Sequence, residues 1–191
     1  VVVFDKSDMT DGCSYGNAGM IVPSHIIPMA QPGMIAQGMK WMFDSQSPFY
    51  VKPRLSYDLI KWGYQFYKQA TPQHVEKSMP ALRDLALLSK ELFQDLDRYS
   101  HSFYYEEKGL LMLFKTDKVA SEMQHEGKEA QRLGLEVDFL SKEAVSKLET
   151  GTRTAVIGGV HYKNDAHLYP QKFMQFIKNE LKFMNVEIHS N

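Results

Sequence analysis

The opening residues limit the fold more tightly than any other part of the chain. Val1-Val2-Val3-Phe4-Asp5-Lys6 is a short apolar run closed by a carboxylate and a cation. A small, turn-rich stretch follows, Asp11-Gly12-Cys13-Ser14-Tyr15-Gly16-Asn17-Ala18-Gly19. An apolar strand with an acidic tip that runs into a backbone-exposing loop is how the second strand of a dinucleotide-binding βαβ unit ends. The first strand of such a unit, with its Gly-x-Gly-x-x-Gly turn and helix, is not found in the sequence, and there is no starting Met. The expectation is a piece of a larger dinucleotide-binding protein.

Composition narrows the class. At roughly 100–200 residues per domain, the 191 residues make one large domain or one and a half small ones, long enough for a sizeable core. A hydrophobic share of 43% beside 24% charged residues argues for a folded chain and against disorder. The net charge of −1 gives no domain-wide attraction to nucleic acid or to an anionic membrane. Cys13 is the single cysteine, which excludes an intramolecular disulfide and a cysteine-based zinc cluster. No run reaches the roughly 18 apolar residues a membrane span needs, and the opening run lacks the charge and length of a signal peptide. The 11 methionines read either as gap-filling core residues or as a Met-rich binding surface.

Local signals order the elements. Val1–Phe4 reads as a strand. Pro32 suits the first turn of a helix carrying Met34, Ile35, Met39, Trp41 and Met42, and Asp44 to Pro48 breaks it. Leu55 to Tyr67 is helical, with Leu59, Ile60, Gly63, Phe66 and Tyr67 at three- and four-residue spacing. Thr71-Pro72 is a hydroxyl N-cap followed by proline at the first helical position, and that helix runs to about Tyr99. Its Leu82, Leu85, Leu88, Leu92 and Leu96 form one stripe, read as packing within the domain with a short coiled coil as the alternative. Phe103–Tyr105 and Leu110–Phe114 flank Glu106-Glu107-Lys108-Gly109, a hairpin signal. Thr116 caps a helix that ends near Leu133 with Gly134 in the C-cap position. Val137–Leu140 reads as a strand and Ser141 starts a short helix. Ala155–Tyr162 is a strand whose Gly158-Gly159 marks a bulge or a close backbone approach. Pro170 opens a helix with Phe173, Phe176, Ile177 and Leu181, and Val186–Ile188 is a final strand. Irregular alternation of this kind predicts α+β architecture: a mixed, largely antiparallel sheet flanked by helices.

Few residues offer chemistry. Asp5 at the strand tip suits a ribose hydroxyl, or is a solvated strand end. The loop from Gly12 to Gly19 suits an anion-binding run of backbone amides, or is a tight loop. His25, between Pro23 and Pro28, is the one catalytic candidate; a histidine there could carry charge beside a cofactor or substrate, or be held by backbone. His161, Asp165 and His167 lack the helical spacing of a metal site, and no metal is expected. Arg54, Arg83 and Arg98 read as surface or structural arginines.

The run Cys13-Ser14-Tyr15-Gly16-Asn17-Ala18-Gly19-Met20-Ile21-Val22-Pro23-Ser24-His25 strongly resembles the FAD-dependent D-amino-acid dehydrogenase family. So do Pro28 to Trp41, Ser47 to Arg54, and Gly158–Tyr162 with Asp165–Pro170; the last is shared more loosely with glycine and sarcosine oxidases. The resemblance implies FAD as cofactor, with Asp5 and the neighbouring Lys6 at the adenosine ribose and Ser14, Asn17, Ala18 and Gly19 on the flavin side. It implies residues 1–27 as a remnant of the FAD-binding domain, 28–184 as a substrate-side α+β domain and 185–191 as a strand returning toward the FAD domain. It further implies oxidative deamination of a D-amino acid by hydride transfer from the α-carbon to flavin N5, and an electron acceptor of the respiratory chain. A cytoplasmic protein, compatible with peripheral contact at the inner face of the membrane, follows from that acceptor. The glycine-rich turn that meets the diphosphate and the Arg and Tyr that relatives bring to the substrate carboxylate are not in the chain, so the chain alone is expected to be apo and inactive. The alternative is a folded α+β module without activity, serving interaction or oligomerisation.

Overall fold

Local caps decide where the helices begin. The computed structural model describes residues 1–10, 12–42, 56–152 and 154–190, with the side chains of Met39 and Met42 excluded. Asp11, the break at Asp44–Pro48, the family-like run Ser47–Arg54 and Leu55 lie outside these residues. In chain order the elements are β1 (Val2–Asp5), β2 (Met20–Ile21), α1 (Met34–Met42), α2 (Tyr57–Gln69), α3 (Pro72–Ser100), β3 (Leu110–Phe114), α4 (Asp117–Arg132), β4 (Val137–Ser141), α5 (Lys142–Leu148), β5 (Gly158–Tyr162), β6 (Ala166–His167), α6 (Pro170–Phe183) and β7 (Glu187–Ser190). Thr71 accepts the His74 amide at 3.2 Å, Thr116 the Val119 amide at 3.4 Å and Ser141 the Ala144 amide at 3.3 Å. Each satisfies an amide that the first helical turn leaves unpaired. Gly134, at φ +84°, closes α4 as a left-handed C-cap.

The chain divides into two units, Val1–Ser24 with Ala86–Asn191, and His25–Leu85. In the first, β3 and β4 flank β5, both antiparallel to it. Two smaller pairs complete the strands: β1 with β7, parallel, and β2 with β6, antiparallel. The mixed, largely antiparallel architecture is thus the one expected. Gly158 and Gly159 serve close approach, and the register through them is unbroken. A Cβ on Gly158 would come within 2.7 Å of the Leu140 carbonyl oxygen and 2.9 Å of the Phe114 ring. Val137, Val145 and Val160, on β4, α5 and β5, are buried; a second core joins Ile21, Phe103, Ala166, Leu168 and Phe176, with Phe93, Leu96 and Phe173 packed against it. Among the described residues, no helix is long and apolar enough to cross a membrane.

Three expectations need correction. The hairpin across Glu106–Gly109 does not form. Phe103 is instead fully buried in the second core, Glu106 exchanges backbone hydrogen bonds with His167 at 2.8 and 3.0 Å, and β3 pairs with the distant β5. Gly109 keeps the expected positive φ, +76°, because any side chain there would meet the His161 ring and the Tyr162 carbonyl. The leucine stripe of α3 does not pack inward as a whole: Leu85, Leu88 and Leu92 are exposed. The inward stripe at the same spacing is Ala86, Ser89, Phe93 and Leu96. Finally, β5 starts at Gly158, not at Ala155.

Candidate functional site

The loop that leaves β1 is shaped almost entirely by its own polar groups. The Asp5 carboxylate accepts the Ser7 amide at 2.8 Å and the Ser7 hydroxyl at 3.0 Å, and these bonds, the amide first, lower its pKa. Asp8 makes the same turn with Thr10. The Tyr15 amide donates to Gly12 at 3.0 Å. Asn17 then knits the loop together: its amide nitrogen donates to the carbonyls of Cys13 and Ser14, both at 3.0 Å, and its side-chain oxygen accepts the Gly19 amide at 2.7 Å. Side-chain amides that close local turns in this way are a common use of Asn.

With Asn17 so used, the backbone is what the loop presents. The amides of Gly16, Asn17 and Ala18 donate to no described residue, and all three residues are exposed. Successive amides of this kind suit an anion or the acceptor-rich edge of a ligand. Gly16 faces open space. Ser14, Asn17 and Gly19 line a cavity of about 390 Å³ whose apolar side includes Phe93, Leu168 and Phe173. A polar, amide-bearing rim over an apolar floor is compatible with one part of a flavin dinucleotide, and to that extent the residues present fit the cofactor.

The rest of the unit holds this loop from below. The Leu168 amide donates to the Gly19 carbonyl at 2.9 Å, beside the β2–β6 pairing of Met20 with His167 and Ile21 with Ala166. From α6, Gln171 donates to the Tyr15 carbonyl at 3.0 Å and Lys178 to the Asp8 carbonyl at 3.2 Å. The Lys178 ammonium also stands 5.7 Å from the centre of the Tyr15 ring, a cation–π distance. At the far end, the Ser24 amide and hydroxyl donate to the two carboxylate oxygens of Asp165 at 3.0 and 2.6 Å. Asp165 is completely buried.

The predicted residues therefore separate. Ser14, Asn17, Ala18 and Gly19 come together in one loop, with Ser14, Asn17 and Gly19 on the cavity. Asp5 and Lys6 are exposed at the end of β1. His25 is exposed and belongs to the His25–Leu85 unit. His161 and His167 have separate partners, the Lys108 carbonyl at 3.0 Å and Glu106 at 3.4 Å. Arg83 and Arg98 pair with Asp84 and Asp95, while Arg54 lies outside the described residues. Burial pushes the Tyr162 phenol up to about 12, with the Glu126 and Asp165 charges adding to it. The supports that sequence reasoning missed are Ser24 with Asp165, Gln171 and Lys178. All are long-range partners with no local signature.

The family described as DAO, FAD dependent oxidoreductase, matches residues 1–191. A D-amino acid dehydrogenase of Helicobacter pylori is 25% identical over 191 residues, covering 100% of this chain and 46% of that protein. One of Vibrio atlanticus is 27% identical over 171 residues, covering 86% and 41%. The chain thus spans less than half the length of these curated relatives. In fold it is similar to glycine oxidase from Geobacillus kaustophilus, with a TM-score of 0.60 at 15% identity over 100% of this chain and 40% of that one. It is also similar to the FAD-bound L-alpha-glycerophosphate oxidase from Mycoplasma pneumoniae, with a TM-score of 0.58 at 14% identity over 100% and 38%. The match along all 191 residues means that this chain belongs to the DAO family of FAD dependent oxidoreductases.

Proposed function

We propose that the complete protein oxidatively deaminates D-amino acids with FAD, and that this chain supplies the loop against which the cofactor lies. The observation that carries this reading is the run of exposed amides from Gly16 to Ala18 beside the cavity, in a chain whose relatives are D-amino acid dehydrogenases. Bound FAD would supply the two-electron acceptor, taking hydride at N5 from the substrate α-carbon, after which water releases ammonia and a 2-oxo acid. The protein's share is positioning: Ser14, the amides of Gly16 to Ala18 and the Gly19 turn would hold the cofactor, and Asp5 with Lys6 would meet its ribose. His25 stands only as a candidate, in the other unit. The parallel β1–β7 pairing supports assigning 1–27 and 185–191 to the FAD-binding side and 28–184 to the substrate side. A respiratory acceptor, and with it a peripheral seat at the cytoplasmic face of the inner membrane, belongs to the same reading.

The test is turnover of the complete gene product on a panel of D- and N-methyl amino acids with an artificial dye acceptor. Dye reduction with D-isomers and none with L-isomers is expected. Reduction by L-isomers alone, or by none of the panel, contradicts the proposal.

A second reading, an interaction module, draws on the exposed Leu85, Leu88 and Leu92 of α3, an apolar stripe without a cover among the described residues. It predicts a concentration-dependent dimer in sedimentation that Leu88→Asp abolishes. A strict monomer counts against it.

A further inference from the structure

We infer that Asp165 is a positioning residue for the cofactor loop, acting through a two-point grip on Ser24. This rests on the proposal that FAD lies against the Ser14–Gly19 loop.

Burying a carboxylate is expensive unless its oxygens are well bonded, and an apolar residue of similar volume would fill the space at less cost. Asp165 is nonetheless completely buried. Its two oxygens take two different donors of one residue, the amide of Ser24 at 3.0 Å and its hydroxyl at 2.6 Å. A single acceptor would leave Ser24 free to turn about the bond. Two acceptors fix both its backbone and its side-chain direction, and charge-assisted bonds hold more strongly than neutral ones. An apolar replacement could do neither.

Asp165 is itself fixed at the other end. Its carbonyl accepts the Gly109 amide at 3.0 Å, and its amide donates to Tyr162 at 3.4 Å. The grip therefore ties the end of β5 to the residue that follows β2 and Pro23. Moving back along the chain from Ser24, β2 pairs with β6 and Gly19 meets Leu168, which places the loop directly on this anchored segment. Gln171 and Lys178 of α6 hold the earlier part of the same loop. The loop is thus held on both sides by residues between Asp165 and Lys178, while its middle offers unengaged amides. Fixing a loop before the ligand arrives lowers the ordering cost of binding, and loosening either side raises it. A residue that acts this way changes cofactor affinity more than it changes the folded core.

The test uses the complete gene product, stripped of flavin and titrated with FAD by fluorescence quenching. The melting temperature of the stripped protein is measured in parallel. Ser24→Ala removes the hydroxyl arm and keeps the amide arm; it is expected to weaken FAD binding about tenfold. Ser24→Thr restores the hydroxyl and is expected to bind FAD within about twofold of the parent. Asp165→Asn keeps an acceptor for the Ser24 amide but loses the charge, and is expected to fall between them. Parent-like affinity in both Ser24→Ala and Asp165→Asn, with only the melting temperature lowered, overturns the inference and leaves a purely structural bond. Ala18→Leu in the same series separates the two claims. If it leaves FAD affinity unchanged, the loop does not meet the cofactor and both claims fail. If it weakens binding while the Ser24 and Asp165 variants do not, only the positioning role fails.

Discussion

Gly16 and Gly19 look equivalent in the sequence: two glycines in one loop, both expected to let backbone approach a cofactor. The structure gives them different tasks. Gly19 is buried at φ +67°, and a Cβ there would overlap the Leu168 carbonyl oxygen. Gly16 is exposed, and no described residue stands within 4 Å of where its Cβ would be. Gly19→Ala must strain both the backbone and the β2–β6 contact and is expected to lower unfolding free energy by more than about 2 kcal/mol in urea. Gly16→Ala should change stability by less than about 0.5 kcal/mol while weakening FAD binding, since no described residue is in the way of its Cβ and the proposed ligand would be. A Gly16→Ala protein with parent-like FAD affinity would move the cofactor away from this loop. The need for glycine was legible; the reason at Gly19 was not, because Leu168 is its neighbour only in the folded chain. Asn17 shows the same limit: its residue type marks a loop, but its donors and acceptor turn inward to the loop's own backbone.

Among the elements, those set by local chemistry were the legible ones. α3, α4 and α5 start where a hydroxyl side chain can cap them, and α6 opens on Pro170. The two-residue strands β2 and β6 carry no periodicity of their own and exist only as partners. The same dependence dissolved the expected hairpin, since Glu106 finds its bridge at His167. Phe103, which the hairpin would have placed on a strand, packs against Phe173 and Phe176 at 5.2 and 5.6 Å between ring centres. Phe103→Ala is expected to cost about 3–5 kcal/mol, read as a shift of the urea midpoint.

The following segment is tied to α3 by charge. Glu107 accepts from Lys90 at 2.8 Å and from Gln94 at 2.7 Å, which holds its carboxyl below its ordinary 4.5, the Lys90 bond contributing most. A carboxylate lowered on folding adds stability that is present above its unfolded value and lost as pH falls through the folded one. Unfolding free energy is therefore expected to decline as pH falls below the ordinary carboxyl range, and less steeply in Glu107→Gln. An unchanged acid limb in that variant would show that the tie contributes nothing. The buried Tyr105 phenol beside it is pushed up, by burial first and the Glu107 charge second, so it stays neutral across this range.

For the whole molecule, the proposal is that this DAO-family chain would carry one part of a cofactor site, the loop with its supports, without the glycine-rich turn that meets the diphosphate at a helix N-terminus in such folds. The family-like loop was readable because its residues are contiguous. Its support was not, because Asp165, Leu168, Gln171 and Lys178 reach it from the other end of the sequence. Half a site leaves most of the ordering cost of binding unmet. The most direct test is a visible spectrum taken after incubation with excess FAD and removal of free ligand, on the complete gene product and on the 191-residue chain side by side. A stoichiometric flavin band at about 450 nm is expected on the complete product and none on the shorter chain. A retained band on the 191-residue chain, or its absence from the complete product, would contradict the proposal.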